Sequence, residues 1–553
     1  MAAKSPNGQP FFRAAGTISA AISLSRTTGM VREMAMARLF GAGEIYDAFL
    51  LGMRIPNLAR NLFAEGALSS AFVPVFSQYL ETRGRKAAAD LSSAVASALV
   101  LAVSAVCLAG MIFSPQLVSL LAPGFGAVPG KRELAILLTR IMFPFLALVA
   151  LAAQAMGVLN ACDRFGIPAM ASTFFNLGSL AFGLGLGFTV GRGTPRGLIV
   201  CMACGVLLGG VLQLVWQFPS LRREGFLGRP RWDFGNAGLR QIAGLMLPAL
   251  VGNAALQINV IVNTNLASGI TGADGHVING PVSWLNYAFR FLQLPLGLFG
   301  AAIASAMLPD VSRAAAAGRM EEFRGVLGRA LGLMLLVTIP SSAGLAMLGE
   351  SMIGAIYQGG HFHAYDTQQT AVALAWYSIG LAGYSATKIL APVFYALNDG
   401  RTPMLVSAVS VGLNLVLALV LVKQGGMGHA GLALSTALAA LASGTLLFAL
   451  LHARIPSMDA RGLGASALKI ATASAAMALA CHASSTWVRG ALGTGRAAYL
   501  ADVALSIPLG AAVFYAGARA LAVPELEAVS SACYTALRNA LRPEVGDPSA
   551  GDR

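Results

Sequence analysis

Charged residues are what this sequence has least of. Of its 553 residues only 11% are Asp, Glu, Lys or Arg, 56% are hydrophobic, and the mean hydropathy is +0.69. Soluble domains carry about 25% charge, so this chain cannot cover a water-facing surface and a soluble enzyme is excluded. Disordered chains and coiled coils need more polar residues still. Short alternating segments, the mark of a membrane β-barrel, give way here to long unbroken apolar runs. What is left is an all-α polytopic membrane protein. Its net charge of +14 reads as Lys and Arg gathered in loops on one side of a membrane rather than as a nucleic-acid surface.

Cysteine is sparse too, and so are the motifs of chemistry. The six cysteines fall mostly in or at the ends of apolar stretches. Cys201 and Cys204 form a CxxC inside the run 197–221 with no histidine or second pair nearby, which reads as buried packing. There is no GxxxxGK[ST] loop, no HExxH and no paired carboxylates with a base beside them. His361 and His363, in QGGHFHAYD, read as solvated loop residues. The expectation is a protein that is not an enzyme and holds no cofactor or metal, so any work it does draws on the membrane potential or a cation gradient. Lys4, Arg13 and an arginine-studded first apolar segment are unlike a cleavable leader.

A helix crosses the hydrocarbon with about 20 apolar residues. Charge-free stretches of that kind occupy 91–113, 141–162, 165–191, 197–221, 241–273, 291–309, 330–349, 367–387, 402–422, 428–451, 470–488 and 503–518. Two more, 14–38 and 45–79, are apolar enough to span but carry charges, giving about 14 spans on this criterion. With the N-terminus inside, the inner loops and termini hold 23 Lys and Arg and the outer loops 7. That bias puts both termini in the cytoplasm.

The sequence also repeats itself. ALSSAFVPVFS (67–77) and AIASAMLPDVS (302–312) match at five of eleven positions with an offset of 235, and the same offset carries Pro168 to Pro403 and Ser172 to Ser407. LNACDRFGIP (159–168) and LNDGRTP (397–403) are related loops. Six spans separate the copies, so the two halves share one orientation, as in transporters with two bundles around a central cavity. The expected division is 1–230 for helices 1–6, 231–460 for helices 7–12, and 461–553 for two extra helices and a cytoplasmic tail.

Ionisable residues inside spans usually face a polar cavity, because each central charge costs about 2.5–3.5 kcal/mol on insertion scales. The first two spans hold Arg26, Arg32, Glu33, Arg38, Asp47, Arg54, Arg60 and Glu65; Arg290 and Lys388 stand in later ones. Arg38 and Asp47, next to the turn FGAGEIYD, have a plain reading as interface residues that snorkel to water. Glu33 and Glu65 read as local ion-pair partners. Arg26, Arg32, Arg60 and Arg290 outnumber the buried acids and imply a cavity of positive charge, suited to an anionic ligand, since guanidinium forks match phosphate oxygens. Gly29, Pro56, Gly66 and Pro74, and later Pro295 and Gly297, interrupt the same spans and supply hinges for alternating access.

SRTTGMVRE (25–33), ARLFGAGEIYDAF (37–49), RIPNLARNLFAEGALSSAFVPVFSQY (54–79), NYAFRFLQLPLGLFGAAIASAMLP (286–309) and FYALNDGRTP (394–403) closely resemble the MurJ (MviN) family of lipid II flippases. The family sits within the multidrug/oligosaccharidyl-lipid/polysaccharide exporter superfamily. The resemblance implies two six-helix lobes and two further helices that form a groove for a lipid tail. It implies a bacterial cytoplasmic (inner) membrane protein, among membrane lipids, that moves lipid II to the periplasmic leaflet for peptidoglycan synthesis. Lipid II is undecaprenyl-pyrophosphate carrying a disaccharide-pentapeptide; cell-wall synthesis enzymes are further candidate partners. The family's cavity arginines carry over onto Arg26, Arg32, Arg60 and Arg290, and its outer-turn acid onto Asp47. Glu33 stands where the family often has Asp, and Asn61 where some members have a second basic residue. Some members bind sodium in the second lobe; the corresponding segment here offers Gln257, Asn259 and Asn263 but no acid. A flippase for another polyprenyl-linked glycan, a drug/cation antiporter of the superfamily, a membrane enzyme acting on polyprenyl lipids and a non-transporting scaffold are the rival readings.

Overall fold

The computed structural model describes residues 8–60, 68–191, 193–228, 230–272, 274–455 and 459–531. Among them the regular elements are helices, with two isolated β-bridges, Thr271–Val277 and Gly359–Phe362. In hydrocarbon each backbone N–H and C=O must be satisfied within its own segment, and long apolar runs meet that demand as helices.

The chain forms two compact units. The first comprises Met1–Asn286, Ile356–Thr367 and Leu415–Leu432; the second comprises Tyr287–Ala355, Gln368–Asn414 and Ala433–Arg553. The first half of the chain supplies α1 (Gly8–Phe40), α2 (Glu44–Arg60), α3 (Ser69–Thr82), α4 (Gly84–Ile112), α5 (Ser114–Leu121), α6 (Lys131–Met142), α7 (Phe145–Ala161), α8 (Gly166–Thr189), α9 (Pro195–Val215) and α10 (Phe218–Arg223). Next come α11 (Ala237–Ser268), α12 (Pro281–Pro295), α13 (Ala301–Ala316), α14 (Met320–Tyr357), α15 (Ala364–Ile379), α16 (Leu381–Ala396), α17 (Arg401–Leu419) and α18 (Gly428–Arg454). The chain closes with the hairpin α19 (Ala460–Leu492) and α20 (Arg496–Ala520).

The starts of several helices are written in their caps. Thr194 accepts the Gly197 amide at 3.1 Å with Pro195 behind it, Asn236 accepts Gly238 N at 2.9 Å, and Asp459 accepts Gly462 N at 2.8 Å. Breaks follow proline and glycine: α6 bends into α7 at Pro144, a π-helical segment Leu296–Gly300 follows Pro295, and Gly380 separates α15 from α16. α8 and α9 approach closely because their interface is built of small residues. A Cβ on Gly205 would lie 2.5 Å from the Ser179 carbonyl oxygen.

The internal repeat is visible element by element. Shifted by 235, α2 falls on 279–295 and meets α12, α7 falls on 380–396 and meets α16, and α8 falls on 401–424 and meets α17 with its π-helical end Val420–Gln424. The loops agree in backbone detail. Asp163 and Asn398 both take positive φ, 60° and 59°. Arg164 N donates to Leu159 O at 2.8 Å and Asp399 N donates to Phe394 O at 2.9 Å. Each of these pairs is separated by the same 235 positions.

Among the described residues nine helical stretches are long and apolar enough to cross a membrane, from Gly84–Ile112 to Arg496–Ala520. Of the other expected spans, 14–38, 45–79, 291–309 and 367–387 coincide with helices that are shorter, broken or charged, among them α1, α2, α12 and the pair α15 and α16. Among the described residues length and apolarity alone thus identify nine of the fourteen expected spans.

Candidate functional site

Apart from Glu65, the charged residues foreseen in the first two spans lie on α1 and α2 of the first unit. Arg32, half-buried on α1, donates from Nη2 to Glu33 Oε1 at 3.3 Å, and its guanidinium lies 5.4 Å from the Phe175 ring centroid on α8. Glu33 is only 6% exposed and also accepts the Tyr46 hydroxyl from α2 at 3.2 Å. The acid after the arginine thus ties α1 to α2 while steering Arg32. α1 is held against α8 where Gly29 faces Asn176, whose Nδ2 donates to Ser25 O at 3.2 Å.

Asp47, in the first turn of α2, is the buried centre of a polar cluster. It is 0% exposed and Lys131 is 2% exposed. Lys131 Nζ donates to Asp47 Oδ2 at 2.8 Å and to Asn279 Oδ1 at 2.8 Å, and stands 4.2 Å from the Phe125 ring centroid. Asp47 also accepts Gly280 N at 2.9 Å, Ser283 N at 2.9 Å and the Ser283 hydroxyl at 2.5 Å. Those amides are orphan donors at the N-terminus of α12, where the helix dipole also favours a negative charge. Asp47 therefore caps a helix 233 or more residues away in sequence. Snorkelling to water does not describe this residue, since every carboxylate lone pair it uses points at protein. The neighbouring Trp284 donates Nε1 to Asp366 Oδ1 at 3.0 Å, and Asp366 Oδ2 accepts His363 N at 3.0 Å.

The other foreseen residues are distributed differently. Arg26 is exposed on α1, and Arg290 is exposed on α12 in the second unit. Arg60 ends α2; its side chain, and Glu65 entirely, lie outside the described residues. Arg54 donates to Thr264 Oγ1 of α11 at 2.5 Å. Lys131 is not legible in the sequence as a site residue, because nothing local marks a lysine at the start of α6 as buried. The second unit contains an apolar cavity of about 290 Å³ between α14, α16, α18 and α19, lined by residues such as Met334, Leu390, Phe448, Leu463 and Ala467.

Loop carboxylates are tuned by their surroundings. The Thr402 hydroxyl and amide, with Arg454, hold Asp399 down to about 2. Hydrogen bonds from Arg85 and Arg164 hold Glu224 below the ordinary carboxylate range. Burial pushes the Asp366 carboxyl up, against the hydrogen bonds from Trp284 and His363.

Two repeated halves of long apolar helices, with charged groups held among them, define a multi-pass membrane protein of the transporter class. The family model described as lipid II flippase MurJ matches residues 36–498. A protein from Vibrio cholerae named probable lipid II flippase MurJ is 34% identical over 442 residues, 79% of this chain and 82% of that one. The lipid II flippase MurJ of Burkholderia cenocepacia is 34% identical over 444 residues, covering 79% and 83%. Among solved structures, a lipid II flippase MurJ in an inward closed conformation has the same fold, with TM-score 0.73 and 24% identity, covering 91% of this chain and 99% of its own. An inward-facing multidrug resistance MATE family transporter of the MOP superfamily matches at TM-score 0.61 and 16% identity, covering 79% and 94%. The chain belongs to the MurJ family.

Proposed function

We propose that this chain is a lipid II flippase of the bacterial inner membrane, carrying undecaprenyl-pyrophosphate-linked peptidoglycan precursor from the cytoplasmic to the periplasmic leaflet by alternating access. Family membership supports the substrate class. The observation that carries the mechanism is Arg32. Its described hydrogen bond, to Glu33, uses one end of the guanidinium, which leaves the rest of the fork for a diphosphate. Arg60 and Arg290 complete the clamp in this reading, with Arg26 assisting, because a doubly phosphorylated headgroup needs several cations away from water. The lipid tail takes an apolar path, for which the cavity of about 290 Å³ beside α19 is suited.

The Asp47–Lys131 cluster serves as the closed outer gate, on the periplasmic side, with both termini in the cytoplasm as the loop charges favour. Opening that gate separates Asp47 from the α12 amides, so the cluster's stability sets how often the outer side opens. The cycle draws on the membrane potential or a cation gradient. Cells depleted of their own flippase and supplied with Arg32→Ala, Arg60→Ala or Arg290→Ala at normal protein level are expected to accumulate lipid II on the cytoplasmic leaflet and fail to grow. Normal growth and normal leaflet accessibility of lipid II with all three variants would refute the clamp.

A further inference from the structure

Lys388, a charge foreseen inside a span, takes no part in the proposed clamp of Arg32, Arg60 and Arg290. It stands on α16 of the second unit, about 12 Å from the Ala396 end at 1.5 Å per residue. At roughly 100° per residue the faces of this helix separate cleanly. Ile389 and Val393 are buried in the apolar core with Met334 and Leu447, and Gly383, Ala386 and Leu390 line the apolar cavity of that unit. Tyr384, Lys388 and Tyr395 share the opposite face, with Lys388 and Tyr395 exposed and Tyr384 half-buried.

That face adjoins the polar face of α12. The Phe289 ring lies 6.2 Å from the Tyr384 ring and 5.5 Å from the Tyr377 ring, centroid to centroid. Arg290 follows Phe289 in sequence, and Gln293 stands one turn after Phe289; both are exposed, while Tyr287, Phe291 and Leu292 turn into protein. Lys388 lies one turn past Tyr384, towards the LNDGRTP loop. The second unit thus carries two cations on adjoining faces, Arg290 beside the ring contact and Lys388 a turn beyond it.

No carboxylate is at hand to neutralise this lysine. Neither 281–300 nor 368–396 contains Asp or Glu. Among the described residues the ion pairs of the second unit are Arg313–Asp310, Arg319–Glu322, Arg454–Asp399 and Arg489–Glu350, and Lys388 is in none of them. A charge held inside a span faces water or a ligand, because hydrocarbon solvates it badly. On a face without acids the fitting ligand is an anion, and lysine binds phosphate as a compact point charge.

We propose that Lys388 is a substrate-contact residue that takes the diphosphate of the polyprenyl lipid at a stage nearer the cytoplasm than Arg290. This rests on the flippase reading and on its orientation, in which the LNDGRTP loop is cytoplasmic. The headgroup then advances along the second unit past the Tyr384 and Phe289 rings, from an ammonium that makes a single-point contact to a guanidinium fork that holds two oxygens.

Equilibrium binding of lipid II and of undecaprenyl pyrophosphate to the full-length protein in lipid nanodiscs tests this. Lys388→Met is expected to weaken both ligands about tenfold, the loss of one charge-assisted contact. Lys388→Arg is expected to keep wild-type affinity, and Tm is expected to stay unchanged in both variants. Lys388→Gln gives the same reading if Lys388→Met cannot be purified. In proteoliposomes Lys388→Met is expected to raise KM for lipid II with kcat kept, as befits an entry contact, whereas Arg290→Ala lowers kcat. Unchanged affinity in Lys388→Met overturns the proposal. So does a loss confined to lipid II, which would place the contact on sugar or peptide, or a lowered Tm with the same loss in Lys388→Arg, which would mark a structural lysine. A wild type that binds neither ligand overturns the flippase reading along with it.

Discussion

Replacing Asp47 with Ala removes the acceptor of four donors at once: Lys131 Nζ, Gly280 N, Ser283 N and the Ser283 hydroxyl. Breaking a buried ion pair by deleting one partner costs about 3–5 kcal/mol, since the surviving charge stays buried. Lys131 keeps Asn279 and the Phe125 ring, so the lower end, about 3 kcal/mol, is the better figure. At 1.36 kcal/mol per decade this shifts local opening by roughly two powers of ten. Amide exchange of the peptide containing Gly280 and Ser283 reads that opening directly. We expect Asp47→Ala to speed exchange there by about a hundredfold while leaving α19 and α20 unchanged. Lys131→Met should do less, because Asp47 still receives both α12 amides and a hydroxyl. The double variant leaves no charge stranded, so its effect should fall short of the sum of the two. Unchanged exchange in Asp47→Ala, or strict additivity in the double variant, would refute the view that this cluster holds α12 as a coupled unit.

Other outcomes follow from the same geometry. Gly280 has φ of +114°, and a Cβ there would stand 2.5 Å from the Trp284 ring, which its bond to Asp366 pins in place. Gly280→Ala should therefore cost about 1–3 kcal/mol, seen as a lowered Tm, and an unaltered Tm would show that the ring gives way. Asp399 is depressed to about 2 in the folded protein, below the unfolded value of about 3.9. Its stabilising effect is accordingly present in full above about pH 4 and is lost as pH falls towards about 2. The gap in Tm between wild type and Asp399→Ala should close over that acid range, and a gap independent of pH would mean that the carboxylate charge is not the cause.

The structure also explains which features could be read in advance. Related loops and a shared offset were visible at a few positions, and the duplication now extends to hydrogen bonds: Asp163 and Asn398 take the same rare backbone conformation, each two residues past the end of one helix and shortly before a helix that carries proline in its first turn. Glu33 was foreseen as a partner for arginine and does bond Arg32, since neighbours in sequence are neighbours in space. Its second role, accepting from Tyr46, depends on the turn between α1 and α2.

Membrane residence, helical class, repetition and the concentration of charge in the first two spans were determined by the sequence alone, because apolar run length and composition act locally and hydrocarbon permits no other backbone solution. Tertiary structure alone decided that Asp47 and Lys131 form a sealed pair across 84 positions and that Asp502 meets Ser351 across 151. Such partners are chosen by how helices cross, and a buried charge accepts whichever donor the packing brings within about 3 Å. No periodicity along the chain encodes that choice.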